Sequence, residues 1–434
     1  MSANLITIAE HELTRFFFAI TLLLVFAHSL GYVFNKVKMP KVIGEICGGL
    51  LLGPTVLGAL FPKSYDWLFS AFEFEGKLLS LVYWLGLVLL MFVSGFEIKM
   101  SLDQDDKKII LALLIGSTVP FFAGWIAPYF FDFTPLLGAK QNMLALKIVI
   151  GIAVAVTSIP VISKIFLDLK VMHTRFARII LTTATIHDVL LWVALAIATS
   201  LVSASSYSVT HIVSTVVLSF AFLGVSLVVM PKILPILTGN RYNLVRKSSS
   251  AGYILFLCFL FSAVASLLNV NIIFGAFMAG VAIGVLPASF NKEKEHVKEI
   301  ALAFFTPLYF AIVGLKLDLL RQLDLELFLF FLLFSMIFET IGTLTAAKLL
   351  KTDWLTSFNF AVAMNTRGGP GIVLATIAYD LGIISAKFFV ALVLIAIFTS
   401  LLAGTWFKFI LSRGGELLKE TAGRFEVREK SFQI

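Results

Sequence analysis

The sequence predicts an all-α polytopic membrane protein of about 13 transmembrane helices, arranged as an inverted repeat with two broken crossing helices. Three observations lead there. Of the 434 residues 59% are hydrophobic and only 14% charged, whereas a water-facing domain keeps about 25% of its residues charged. Apolar runs of about 20 residues, the length needed to cross a bilayer core, recur along the whole chain. Two of those runs are interrupted by polar and helix-breaking residues.

The thirteen runs fall at 14–34, 41–61, 78–98, 108–131, 143–167, 176–203, 209–230, 249–268, 271–289, 298–318, 324–349, 354–379 and 386–410. The first is expected to be a true span. Residues 1–13 carry Glu10 and Glu12 rather than a basic leader, and no small-residue cleavage site follows the run. Residues 1–410 thus form the transmembrane domain, and 411–434 a short cytoplasmic tail that either lies on anionic lipid or is a solvated end. Cys47 and Cys258 both sit inside apolar runs, which argues against a disulfide framework or a metal cluster.

Basic residues set the orientation. With the N-terminus outside, 25 of the 34 lysines and arginines fall in cytoplasmic loops and the C-terminal end, 8 fall outside, and Arg367 lies within a span. The net charge of +8 is therefore topology and not a nucleic-acid footprint. The expected location is the cell (inner) membrane, with the N-terminus outside and the C-terminus cytoplasmic.

The fifth run is broken by Thr157-Ser158-Ile159-Pro160 and the twelfth by Asn365-Thr366-Arg367-Gly368-Gly369-Pro370-Gly371. Lying seven spans apart, the two run in opposite directions. Paired interruptions in corresponding halves point to an inverted-repeat transporter with a midplane site. Unwound backbone at that depth survives only where protein covers it or it lines a cavity.

A charge at the bilayer centre costs at least roughly 2.5–3.5 kcal/mol, so each one implies a partner or a role. His187-Asp188 lies in mid-span. Adjacent helical residues point about 100° apart and cannot easily satisfy each other. Burial favours a neutral carboxylic acid and a bound cation favours the ionised one, so one such side chain can hold either a proton or a cation. That competition is the minimum machinery of an antiporter. Asp188 and Thr157, with Ser158, Thr185 on the same helix face, and freed carbonyls, form an oxygen shell suited to a hard monovalent cation. Arg367 cannot deprotonate. It must meet a carboxylate or the C-terminal carbonyls of a half-helix, in a structural or electrostatic role rather than in contact with substrate. Glu45, Glu97 and His28 read as snorkelling or helix-contact residues. Gly48, Gly49 and Gly53 read as points of close helix packing.

The stretches IGEICGGLLLGPTVLG (43–58), LGLVLLMFVSGFEIK (85–99), AVTSIPVISKIFLDLKVMHTRFARIILTTATIHDVLLW (155–192), FFTPLYFAIVGLKLDL (304–319) and MNTRGGPGIVLATIAYDLGIIS (364–385) resemble the monovalent cation:proton antiporter family 2. Within it the chain is similar to the plant cation/H⁺ exchangers and their fungal relatives. The resemblance implies a sodium/proton antiporter fold of thirteen helices, with a dimerisation domain, a mobile core, elevator-like movement, a homodimer and a role in pH homeostasis. It places the ion on Asp188, the second residue of the family's acidic pair, and the broken-helix contacts on Thr157, Ser158 and Arg367. Two positions depart from the family: His187 precedes the acid, and Glu339 stands where electrogenic members carry lysine. The two are expected to form a hydrogen bond or ion pair that sets the pH dependence, since imidazole titrates in the physiological range.

The expected function is secondary exchange of Na⁺ or K⁺ for H⁺ by alternating access, with lipid as solvent and no cofactor. The alternative is a sodium-coupled solute symporter of related fold. An enzyme is not expected: the chain has no H-E-x-x-H, no G-x-S-x-G, and no G-x-G-D partner for Tyr379-Asp380.

Overall fold

In hydrocarbon every backbone N–H and C=O must be paired inside the protein, and this chain meets that demand with helices. The computed structural model describes residues 9–37, 39–69, 75–96, 106–203, 209–239, 243–268, 270–284, 286, 287 and 290–418. Glu97 and the tail residues 419–434 lie outside the described residues. Among the described residues there is no strand, only an isolated bridge between Leu137 and Ile384.

The chain opens with α1 (Glu10–Lys36), α2 (Lys41–Leu52), the short α3 (Leu57–Leu60) and α4 (Pro62–Phe69), and α5 (Glu75–Phe96). Next come α6 (Lys107–Gly116) and α7 (Thr118–Ile126), which form one kinked span. The first broken helix is α8 (Met143–Ala155) with α9 (Ile159–Asp168), followed by the long α10 (Arg175–Ser203). A π turn at Val225–Val229 separates α11 (Val209–Gly224) from α12 (Met230–Gly239). The short α13 (Leu244–Ser248) leads to α14 (Ser250–Leu267) and α15 (Ile272–Gly284). A second π turn at Ala301–Phe305 separates α16 (Asn291–Ile300) from α17 (Thr306–Leu315). The chain then runs through α18 (Leu319–Gln322), α19 (Leu325–Leu349), the second broken helix α20 (Trp354–Met364) with α21 (Gly368–Asp380), and α22 (Ala386–Ser412).

All thirteen expected runs fall on helical segments, but ten of these segments are long and apolar enough to cross a membrane unaided. The other three runs are the two broken helices and α15. The helices α8 and α15 have 13 residues each, or about 20 Å of helix against a core about 30 Å thick. Their surroundings explain how such short pieces persist: most residues of both are buried against neighbouring helices.

Packing sorts the helices into two groups. In the first, α1, α2, α5, α14, α15 and α17 lie against one another. In the second, α6 to α10 pack with α19 to α22. Between them, α11 touches α10 and α12 touches α15. Direct contact between the groups includes the rings of Trp192 and Phe277, 6.1 Å apart.

Glycine brings backbones together in the first group. A Cβ on Gly49 would overlap the carbonyl of Ala311, and one on Gly314 would overlap the carbonyl of Ile46. Helices α2 and α17 therefore touch backbone to backbone, as small residues permit in membranes. The charged residues read as contact groups also find partners. Buried Glu45 pairs with Lys41 at 3.1 Å, and His28 Nε2 lies 3.0 Å from the Ala303 carbonyl in the second π turn.

Replacing Gly314 by Val should force α2 and α17 apart, at a cost of about 1–3 kcal/mol. The unfolding temperature of the detergent-solubilised protein should fall clearly. Gly76→Ala, where no atom lies within 4 Å of the added methyl, should leave it unchanged.

Candidate functional site

The two interrupted helices cross at their breaks, and each break satisfies the polar groups that the other exposes. Helix α8 ends at Ala155, and Val156, Thr157 and Ser158 are extended before α9 begins. Ser158 caps α9, its hydroxyl accepting from the Val161 N–H at 3.4 Å. Proline in the first turn of α9 lacks only an N–H that has no intrahelical partner there. Across the gap the Thr157 hydroxyl donates to the Met364 carbonyl at 2.7 Å, and the Ser158 N–H donates to the Thr366 carbonyl at 2.5 Å. The second break turns at Gly368, whose φ of +39° suits glycine. A Cβ there would also strike Val161 and Ser158.

Arg367 closes the crossing. Its Nε donates to the Ala153 carbonyl at 3.2 Å and its Nη2 to the Val154 carbonyl at 2.9 Å. Its Nη1 reaches the Asn365 carbonyl at 3.1 Å and the Asn365 side chain at 3.3 Å. A fixed positive charge thus sits on the last carbonyls of α8, the negative end of that helix dipole. Its own N–H lies 3.4 Å from the Thr399 hydroxyl.

Helix α10 packs along both α8 and α9 and touches α20. Asp188 lies near its middle and is 6% exposed. Its Oδ1 is buried with no hydrogen-bond partner, as is Nδ1 of the neighbouring His187. Among the described residues no ion pair seals this carboxylate. Thr185 is buried and donates its hydroxyl to the Leu181 carbonyl at 2.7 Å, which leaves the oxygen lone pairs free to accept. The same holds for Thr157.

Glu339, on α19, is fully buried. Its Oε1 accepts from Thr343 at 3.1 Å and its Oε2 has no partner. The expected contact between His187 and Glu339 is not found among the described residues. Among the described residues Glu339 forms no ion pair, with Arg367 or with any other cation. The sequence reading also missed residues around Glu339. Asn365 Nδ2 donates to the Thr340 hydroxyl at 3.1 Å, linking α20 to α19. Only Thr343, one turn from Glu339, carried a sequence signal.

Arg367→Ala should strand the carbonyls of Ala153 and Val154 and unbalance Glu339. The expected loss is at least about 3 kcal/mol, read as a lower unfolding temperature in detergent. Arg367→Lys should recover part of it, because an ammonium restores the charge without the fork.

Residues 20–413 match the family described as sodium/hydrogen exchanger, transmembrane. The chain is 29% identical over 401 residues to K(+)/H(+) antiporter 1 of Saccharomyces cerevisiae, covering 90% of this chain and 45% of that protein. It is 28% identical over 400 residues to Cation/H(+) antiporter 17 of Arabidopsis thaliana, covering 90% and 48%. The chain thus spans about half the length of these relatives. It is 25% identical to the Na(+)/H(+)-K(+) antiporter GerN of Bacillus cereus, covering 93% of this chain and 98% of that one. The fold is similar to that of the sodium proton antiporter MjNhaP1 from Methanocaldococcus jannaschii, with a TM-score of 0.63, 16% identity, and coverage of 92% of this chain and 98% of the other. A family match running from the first helix to the last shows that this multi-pass membrane protein belongs to the transmembrane sodium/hydrogen exchanger family.

Proposed function

We propose that this chain exchanges a monovalent cation, Na⁺ or K⁺, for H⁺ by alternating access. One observation carries the reading: Asp188 is a buried, unpaired carboxylate in mid-span, on a helix packed along the crossing of two interrupted helices. With no protein cation beside it, its charge is balanced by a proton or by a bound ion, and one occupant displaces the other. Thr157, Ser158 and Thr185 supply further oxygens for the cation. Arg367 and Glu339 set the electrostatics near the crossing, and His187 tunes the response to pH. The similarity to the relatives above, which are named as antiporters of K⁺, Na⁺ or cations in general, supports exchange. No feature of the site speaks for the symporter.

The same reading covers the movement. The second helix group carries the site and slides as a core against the first, an elevator whose stationary part joins two copies into a homodimer. The division of the helices into two groups supports this. Residues 1–410 make up this machinery in the cell (inner) membrane, with the N-terminus outside and residues 411–434 as a cytoplasmic tail. The biological role that follows is pH and cation homeostasis.

Reconstituted proteoliposomes with an internal pH dye, challenged with Na⁺, K⁺ and Li⁺ in turn, test the proposal. Wild type should dissipate the pH gradient with at least one of these ions. Asp188→Asn should fall to the protein-free background. His187→Asp should retain exchange with a displaced pH profile. Undiminished exchange by Asp188→Asn would refute the assignment, and an ion conductance that persists in that variant would mark a passive pore.

A further inference from the structure

A second polar cluster lies away from the crossing, at the opposite end of α21. Asp380, the last residue of that helix, receives two donors from the first helix group. The Tyr83 hydroxyl, on α5, donates to Oδ2 at 2.7 Å, and Lys316 Nζ, just after α17, donates to Oδ1 at 2.8 Å. Lys316 also sits 3.9 Å from the centroid of the Tyr83 ring, and Tyr309 packs on that ring at 5.2 Å between centroids. Tyr83 is 1% exposed, while the Lys316 and Asp380 side chains are 29% and 15% exposed. The Lys316 segment is itself pinned to the first group. The Thr55 hydroxyl, beyond α2, donates to the Leu317 carbonyl at 2.6 Å and accepts from the Leu319 N–H at 3.0 Å.

We infer that Tyr83, Lys316 and Asp380 form a latch that holds the two helix groups together in the conformation seen here and sets the balance between the two access states. The inference rests on the exchange reading. Bonds within one group survive a rigid-body movement, but these two cross the boundary and must break in every cycle. Both are charge-assisted, and such bonds are about twice as strong as neutral ones. The stacked tyrosine adds a cation–π contact to the lysine. The carboxylate is also mechanically connected to the site. Helix α21 runs without interruption from Gly368, at the crossing, to Asp380, so displacement of one end moves the other.

Asp380→Asn, and the charge exchange Lys316→Asp with Asp380→Lys, test this in oriented proteoliposomes, with the apparent KM for Na⁺ or K⁺ read separately at each membrane face. Weakening the latch populates the other state, and apparent affinity follows the competent fraction. Asp380→Asn should lower the apparent KM at the face bearing Lys316 by about fivefold and raise it by a smaller factor at the opposite face. The charge exchange should return both toward wild type. Values that are unchanged, or that move in the same direction at both faces, overturn the latch, as does a charge exchange that restores nothing. Hydrogen–deuterium exchange gives a readout independent of transport: residues 306–317 and 376–385 should exchange faster in Asp380→Asn than in wild type, and identical exchange refutes the latch. Wild type that transports no ion would instead sink the exchange reading and leave this second measurement to decide the latch.

Discussion

The structure depends on one constraint: two stretches of non-helical backbone must be buried deep in a membrane protein with no polar group left to lipid. Either break alone would strand carbonyls and N–H groups at a cost of several kcal/mol each. Together they are complementary. Thr157 and Ser158 take the carbonyls of Met364 and Thr366, and Arg367 takes those of Ala153 and Val154. The crossing is therefore stable only as a pair, and it fixes where α10 and its carboxylate can lie.

The polar atoms around this knot divide into the satisfied and the open. The backbone groups and Arg367 have partners. Asp188 Oδ1, His187 Nδ1 and Glu339 Oε2 have none, although each is buried. Native proteins rarely tolerate such orphans, and those that persist mark strain or function. Here all three belong to titratable side chains of the second helix group, on α10 and α19.

Much of this was legible in the sequence because the signals were costly ones. A Thr-Ser-x-Pro run and a Gly-rich run inside apolar segments cannot be continuous helix, so the breaks at Thr157 and Arg367 were visible. A guanidinium must be paired, so its meeting with half-helix carbonyls was foreseeable. The identity of those carbonyls was not, because backbone atoms carry no residue-specific signal. Hydropathy registers a buried short helix and a lipid-facing long one alike, so it did not separate the thirteen runs into the ten that, among the described residues, are long and apolar enough to cross a membrane and the three that are short or broken. The His187–Glu339 contact failed because spacing on two separate helices gives no rotation about either. Asp380 and Lys316 looked like ordinary span-end charges. Only the fold reveals that residues 64 apart in the chain meet there.

The π turn at Ala301–Phe305 carries a consequence for comparing this chain with its relatives. A wider turn holds one more residue than an α turn, so everything after it is rotated by about 100°. An alignment that slides a gap out of this five-residue window would put Tyr309, Gly314 and Lys316 one step off register. Each would then be matched to a position on the wrong side of its helix.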